Sequence, residues 1–137
     1  MTDTKIHGYD VALLWLVLVV GMVLHFNYGV SGLRYGVPLE QPGATGQVPW
    51  SNFVIKTVFY VVPLLMAVAC TSDLDRKGRM AIFGMSLLFA VANAMHLVTT
   101  AMAADDVLGY AQIVLLGAVL LANGQLIRRS RRWWRAG

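Results

Sequence analysis

The sequence has little charge and almost no cysteine. Only 13% of its 137 residues are charged, whereas 58% are hydrophobic. A soluble domain of this length cannot bury so much apolar surface, because a small domain buries only part of what its chain exposes. The composition therefore excludes an ordinary soluble domain and indicates a membrane protein. Cys70 is the only cysteine, which excludes an intrachain disulfide and a metal site built from paired cysteines.

The signatures of common soluble enzymes are missing as well. The chain contains no HExxH zinc motif, no GxxxxGK[ST] phosphate-binding loop, no GxSxG nucleophile elbow and no GxGxxG dinucleotide motif. The sequence therefore leaves open whether the protein is an enzyme, and a function has to be sought in the residues of its membrane segments.

Four long apolar runs are the main positive feature of the chain. A helix crosses the hydrocarbon core of a bilayer with about 20 residues, and each run is long enough to do so. We expect an all-α fold, a bundle of four transmembrane helices in one domain that covers residues 1–137. The predicted spans are residues 11–28, 51–71, 80–102 and 107–127.

The connection between the first two runs is rich in helix breakers. Residues 29–50 contain eight glycines and prolines, a density that predicts a loop on the outer side of the membrane. Pro63 lies in the middle of the second run, where a proline removes one backbone hydrogen bond and clashes with the preceding turn. We therefore predict that the second helix bends by more than about 20° near Pro63.

The basic residues predict the orientation. Most of them fall in three short segments, and basic segments stay on the cytoplasmic side. We therefore expect a multi-pass protein of the inner membrane with both termini in the cytoplasm. Residues 128–137 form a basic tail, for which we predict anionic lipid headgroups as partners and no nucleic acid. The clustered residues are Lys5, Arg76, Lys77, Arg79, Arg128, Arg129, Arg131, Arg132 and Arg135.

Polar residues inside the spans are the candidates for a site, because they are costly in lipid unless they have partners. His25 and His96 lie at similar depth, roughly 6–12 Å below the outer surface by helix rise. They are expected to converge within about 10 Å, since an unpaired imidazole is costly in the membrane. The other members of the predicted ligand- or cofactor-binding set are Asn27, Lys56, Asn93 and Thr100, and Gln112 is at corresponding depth on the fourth span.

Three interpretations of these residues remain open. The first is haem, bound through His25 and His96 as axial metal ligands; the layout of the chain resembles that of small four-helix membrane haem proteins, including epoxide isomerases, which implies haem b but assigns no residues. The second is a pocket for a quinone, a lipid-like molecule or an apolar metabolite. The third is a structural or accessory subunit of a larger membrane complex, whose polar residues only fasten helices together.

Small residues that share one helix face predict close contacts between helices. Ser86, Ala90 and Ala94 share one face of the third span, and Ala111, Ala118 and Ala122 share a face of the fourth. Small side chains let helix backbones approach closely in lipid. These faces are candidates for packing within the bundle, in a homo-oligomer or against a larger partner.

Overall fold

The computed structural model describes residues 3–38, 40 and 43–136. The described part of the chain contains helices and no strand, and four helices are long and apolar enough to cross a membrane. The predicted all-α bundle with four spans is confirmed. We call the helices first to fourth in chain order: Asp3–Ser31, Trp50–Cys70, Arg76–Ala103 and Val107–Arg135.

Aspartates cap the third and fourth helices. The side chain of Asp75 accepts a hydrogen bond from the Gly78 backbone N–H at 2.8 Å, and that of Asp106 accepts one from the Gly109 N–H at 2.7 Å. The first N–H groups of a helix have no partner within it, and a short carboxylate side chain supplies one. These caps fix where the two helices start after their short connections.

The first helix is longer than predicted. It continues to Ser31 and is followed by a 3-10 turn over Gly32–Tyr35, so the expectation that the loop starts at residue 29 is wrong. Gly29 does not end the helix, because an opened backbone inside the lipid would leave polar groups unpaired. The chain leaves the helix at Gly36, whose φ of 79° is left-handed and suits glycine.

The second helix is irregular just before its proline. Thr57–Val61 is a π-helical segment, and the Val62 N–H donates to the Thr57 carbonyl, five residues back. Such wider turns occur mostly as single insertions within α-helices. The irregularity directly precedes Pro63, which has no backbone donor, while the predicted bend of more than about 20° stays a prediction.

The helices run antiparallel, and the ends of the molecule differ in charge. A Cβ atom added to Gly8 would lie 2.7 Å from the Cys70 carbonyl oxygen and 3.2 Å from the Trp133 ring, which brings three helices together at one end. The Arg129 guanidinium also pairs with the Asp10 carboxylate there, at 3.1 Å. We call this the basic end and the opposite one the loop end.

The fourth helix continues through the segment expected to be a separate basic tail. Trp133 is only 3% exposed and packs in the core, and Trp134 stacks on Phe83 with ring centroids 5.5 Å apart. The prediction of a separate tail after residue 127 is therefore wrong, because both tryptophans of this segment contact other parts of the protein. The exposed arginines share one outer face of this helix: Arg128, Arg131, Arg132 and Arg135.

A polar ladder joins the third and fourth helices in the half of the bundle next to the basic end. The Asn93 amide donates to Asn123, the Asn123 amide donates to the Ser86 carbonyl at 3.3 Å, and the Ser86 and Ser130 hydroxyls lie 3.2 Å apart. All four side chains are buried. Buried polar side chains therefore join these two helices in this half of the bundle. Ser86 serves packing within the chain.

Apolar side chains around this ladder form the core. Trp15 meets Phe89 edge to face with centroids 5.2 Å apart, and Phe59 lies 6.1 Å from the same ring. Offset and edge-to-face contacts of this kind are favourable for aromatic rings. The core thus occupies the half of the bundle towards the basic end.

Candidate functional site

Two histidines meet where the core gives way to the loop end. The Nε2 atoms of His25 and His96 lie 3.0 Å apart, within hydrogen-bond distance, and the rings are nearly perpendicular with centroids 4.7 Å apart. The first and third helices both run from the basic end to the loop end, which brings these residues to one level. The predicted convergence of the two imidazoles is confirmed.

The surroundings of the pair indicate which nitrogen holds each proton. A neutral imidazole has one N–H, and one Nε2 of the pair donates to the other. Nδ1 of His25 is buried without a hydrogen-bond partner among the described residues, and a buried N–H without an acceptor is costly. We therefore assign the shared proton to Nε2 of His25, so that His96 carries its proton on Nδ1.

A cavity of about 730 Å³ lies on one side of the pair, and we call it the large cavity. All four helices contribute to its wall. The apolar part of the lining includes Met22, Phe26, Ile55 and Phe59, and Phe59 also contacts the His96 ring at a centroid distance of 6.1 Å. The polar part consists of His25, Asn52, Lys56, Tyr60, His96 and Gln112.

A second cavity of about 340 Å³ lies towards the loop end, and we call it the small cavity. It is lined by Thr99, Thr100 and residues of the turn before the fourth helix, and it shares His25, His96 and Gln112 with the large cavity. The histidine pair and Gln112 therefore form a wall between the two spaces. A group bound in either cavity would contact the same imidazoles.

The structure brings together some of the predicted site residues and not others. Lys56 lines the large cavity and Thr100 the small one. Asn27 is exposed and lines neither, because it lies two residues from His25 and so faces away from it. Asn93 is buried against Asn123 in the polar ladder. It shares a helix face with His96, but its amide serves the contact between the third and fourth helices.

Two residues of the large cavity were missed by the sequence reasoning. Asn52 and Tyr60 lie one helical turn before and one turn after Lys56, so the three make a polar stripe at fourfold spacing. That spacing is visible in the sequence and was a usable signal. The Tyr60 hydroxyl donates to the Met22 carbonyl at 3.4 Å, which links the second helix to the first.

The histidine pair does not fit a haem between its rings. Axial imidazoles bind iron from opposite faces of a flat macrocycle, with each iron–nitrogen bond about 2 Å long, so their nitrogens lie about 4 Å apart. Here the two Nε2 atoms are 3.0 Å apart and bond to each other. Among the described residues there is also no group of three or more His, Cys, Asp or Glu side chains that could hold a metal ion.

The arrangement is therefore suited to holding an organic molecule by hydrogen bonds and apolar contact. A few convergent polar groups in a mostly apolar wall are typical of small-molecule sites. Comparison with protein-family models, with curated proteins and with solved structures finds no match to this chain.

Proposed function

We propose that this membrane protein binds one small apolar or amphipathic molecule, such as a quinone, a lipid-like molecule or an apolar metabolite, in the large cavity. The observation that carries the proposal is the position of the histidine pair, which forms part of the wall of two cavities. The apolar lining would hold the body of the molecule, and the imidazoles with Gln112 would hold its polar group. A volume of about 730 Å³ falls in the usual range of such sites, about 300–1,000 Å³.

The contrast with the polar ladder favours a binding site over mere fastening of helices. In the ladder, Asn123 both accepts from Asn93 and donates to the Ser86 carbonyl, and it lines none of the cavities around the histidines. The histidines bond to each other but also line open space on both sides. A structural or accessory subunit needs only contacts of the first kind.

We further propose that the basic end faces the cytoplasm and that the protein resides in the inner membrane. Basic segments resist export across the membrane, and the basic end collects nearly all of them. The exposed arginine face of the fourth helix would then lie beside the anionic headgroups of the cytoplasmic leaflet. In this orientation the large cavity lies in the outer half of the bilayer.

Filling the cavity tests the binding function. Gly29 lines the large cavity, and a Cβ atom there would have only the Gln112 amide, at 3.8 Å, within 4 Å, so Gly29→Leu places a side chain in the open space. Gly124→Leu is the matched control, because a Cβ atom there meets nothing within 4 Å and the residue lies near the basic end. The probe is photoreactive oleyl alcohol in bilayers, with labelled residues identified by mass spectrometry.

We expect labels on residues of the large cavity in the wild type and in Gly124→Leu, and their loss in Gly29→Leu. Labels spread over the lipid-facing surface, with the same pattern in all three proteins, would contradict the binding function. That result would favour the accessory-subunit alternative.

A further inference from the structure

The wall of the large cavity offers hydrogen-bond donors and positive charge but no carboxylate. Its polar residues are two histidines, two amides, a tyrosine and a lysine, and none of its lining residues is Asp or Glu. Tyr60 already donates to the Met22 carbonyl. The groups left for a ligand are therefore the histidine pair, the amides of Asn52 and Gln112, and the Lys56 ammonium.

Among the residues that line this wall, Lys56 is the only Lys, Arg, Asp or Glu. It lies six residues into the second helix, about 9 Å from its start by helix rise. Its Nζ atom lies 5.5 Å from the centroid of the Phe26 ring, and both residues line the cavity. No carboxylate of the described residues lies within ion-pair distance of it. A charge at membrane depth is costly without a partner, so the site is short of one negative charge.

The apolar residues of the lining indicate what the rest of the ligand is. Met22, Phe26, Ile55 and Phe59 make an apolar wall next to the Lys56 ammonium and the imidazoles. A hydrocarbon chain matches this wall, and an anionic head matches the donors. A neutral quinone would accept hydrogen bonds from the histidine pair but would leave the lysine charge uncompensated.

We propose that the ligand is a single-chain amphiphile with a carboxylate head, such as a long-chain fatty acid. The carboxylate pairs with the Lys56 ammonium and accepts hydrogen bonds from the neighbouring donors, including the Nδ1–H of His96. This inference rests on the proposed binding function and narrows it to one class of ligand.

The test compares ligands that share one chain and differ in the head. The probes are oleate, methyl oleate and oleyl alcohol, and binding to the full chain in uncharged phosphatidylcholine bilayers is measured by displacement of photoreactive oleate. We expect oleate to bind at least about tenfold more tightly than either neutral probe, since a hydrogen bond to a charged group is worth more than a neutral one. Phosphatidylglycerol is a fourth probe that presents an anionic lipid headgroup instead.

Lys56→Gln should abolish the preference for oleate, and Lys56→Arg should keep most of it because the charge remains. Lys77→Gln is the matched control, an exposed lysine of the basic end whose loss should change nothing at the cavity. If the Lys56 ammonium extends to the lipid headgroups and does not bind the ligand, Lys56→Gln would leave the preference intact. That result would overturn the proposal.

Other outcomes separate this inference from the binding function. Equal binding of oleate and the neutral probes within the cavity would overturn the carboxylate proposal and leave the binding function standing. Stronger displacement by phosphatidylglycerol than by oleate would replace the fatty acid with a phospholipid and overturn the proposal as well. Absence of cavity labelling with every probe would overturn both.

Discussion

An imidazole inside a bilayer has two ring nitrogens to satisfy and no water to satisfy them. This makes a histidine in a membrane helix informative in the sequence, since each needs a partner on another element. His25 and His96 meet that need for one nitrogen of each ring, through the contact of their Nε2 atoms. The same reasoning is less specific for amides, because an asparagine is equally well satisfied by a neighbouring helix. Asn93 was predicted to belong to the binding set, but its amide donates to Asn123, which lies 30 residues away in the sequence.

Replacement of either histidine by alanine should weaken ligand binding. We expect His25→Ala and His96→Ala each to lower the affinity for oleate about tenfold, since His96 supplies a donor to the charged head and His25 fixes its tautomer. The affinity is measured by the displacement assay above. His7→Ala is the control, because His7 lies at the basic end. An effect from only one of the two replacements would show that the pair is not a functional unit.

Helix lengths and ends were only partly predictable from the sequence. The apolar runs located all four helices. The first helix was predicted to end at the first glycine of the loop, and it continues further. Glycine breaks helices in water but is tolerated in lipid. The fourth helix was predicted to end before the five arginines. It continues through them, because the hydrophobic residues between them, Trp133 above all, pack inward. Periodicity within a charged segment is a better guide than its net charge.

The π-helical segment of the second helix holds one residue more than an α-helical turn would. Deletion of Val58 should therefore restore α-helical spacing while the residues on either side keep their faces. We expect Lys56 and Asn52 to stay at the cavity and the preference for oleate over oleyl alcohol to persist. Deletion of Val68, in the regular α-helix after the segment, removes no extra residue and should rotate everything before it by about 100°, which should abolish the preference. Loss of the preference on deletion of Val58 would contradict this role of the segment.

Close contact at the basic end depends on Gly8. A Cβ atom there would lie 2.7 Å from the backbone carbonyl of Cys70, and a backbone group cannot move aside cheaply. We expect Gly8→Ala to lower the free energy of unfolding by about 1–3 kcal/mol, measured by denaturant titration in micelles. Gly84→Ala has open space and should raise it by roughly 0.5–1 kcal/mol. Equal effects of the two variants would show that the contact is not tight.

At the scale of the whole molecule, the two halves of the bundle differ in what they contain. The half towards the basic end holds the aromatic core and the polar ladder, and the half towards the loop end holds both cavities. The sequence predicted that the two histidines lie at one level, and the structure places them there. Sequence reasoning missed the ladder, because Asn123 and Ser130 look like isolated polar residues until their partners on the third helix are known.

The orientation can be tested by labelling cysteines in intact cells with a membrane-impermeant maleimide. We expect Thr45→Cys, in the loop, to react in intact cells, and Lys77→Cys, at the basic end, to react only after lysis, since basic segments stay in the cytoplasm. The wild type is the control, because Cys70 is buried. Labelling of Lys77→Cys in intact cells would reverse the proposed orientation.

The contact of Trp133 with Gly8 also constrains the order of events during synthesis. The ribosome makes Gly8 early and Trp133 late, and the fourth helix is the last of the four to enter the membrane. Until then, the surfaces of the first three helices that will contact the fourth face lipid. The carbonyl of Ser86 also lacks the Asn123 amide that later pairs with it. A partner that shields these surfaces during insertion would therefore act on an assembly of three helices and leave when the fourth arrives.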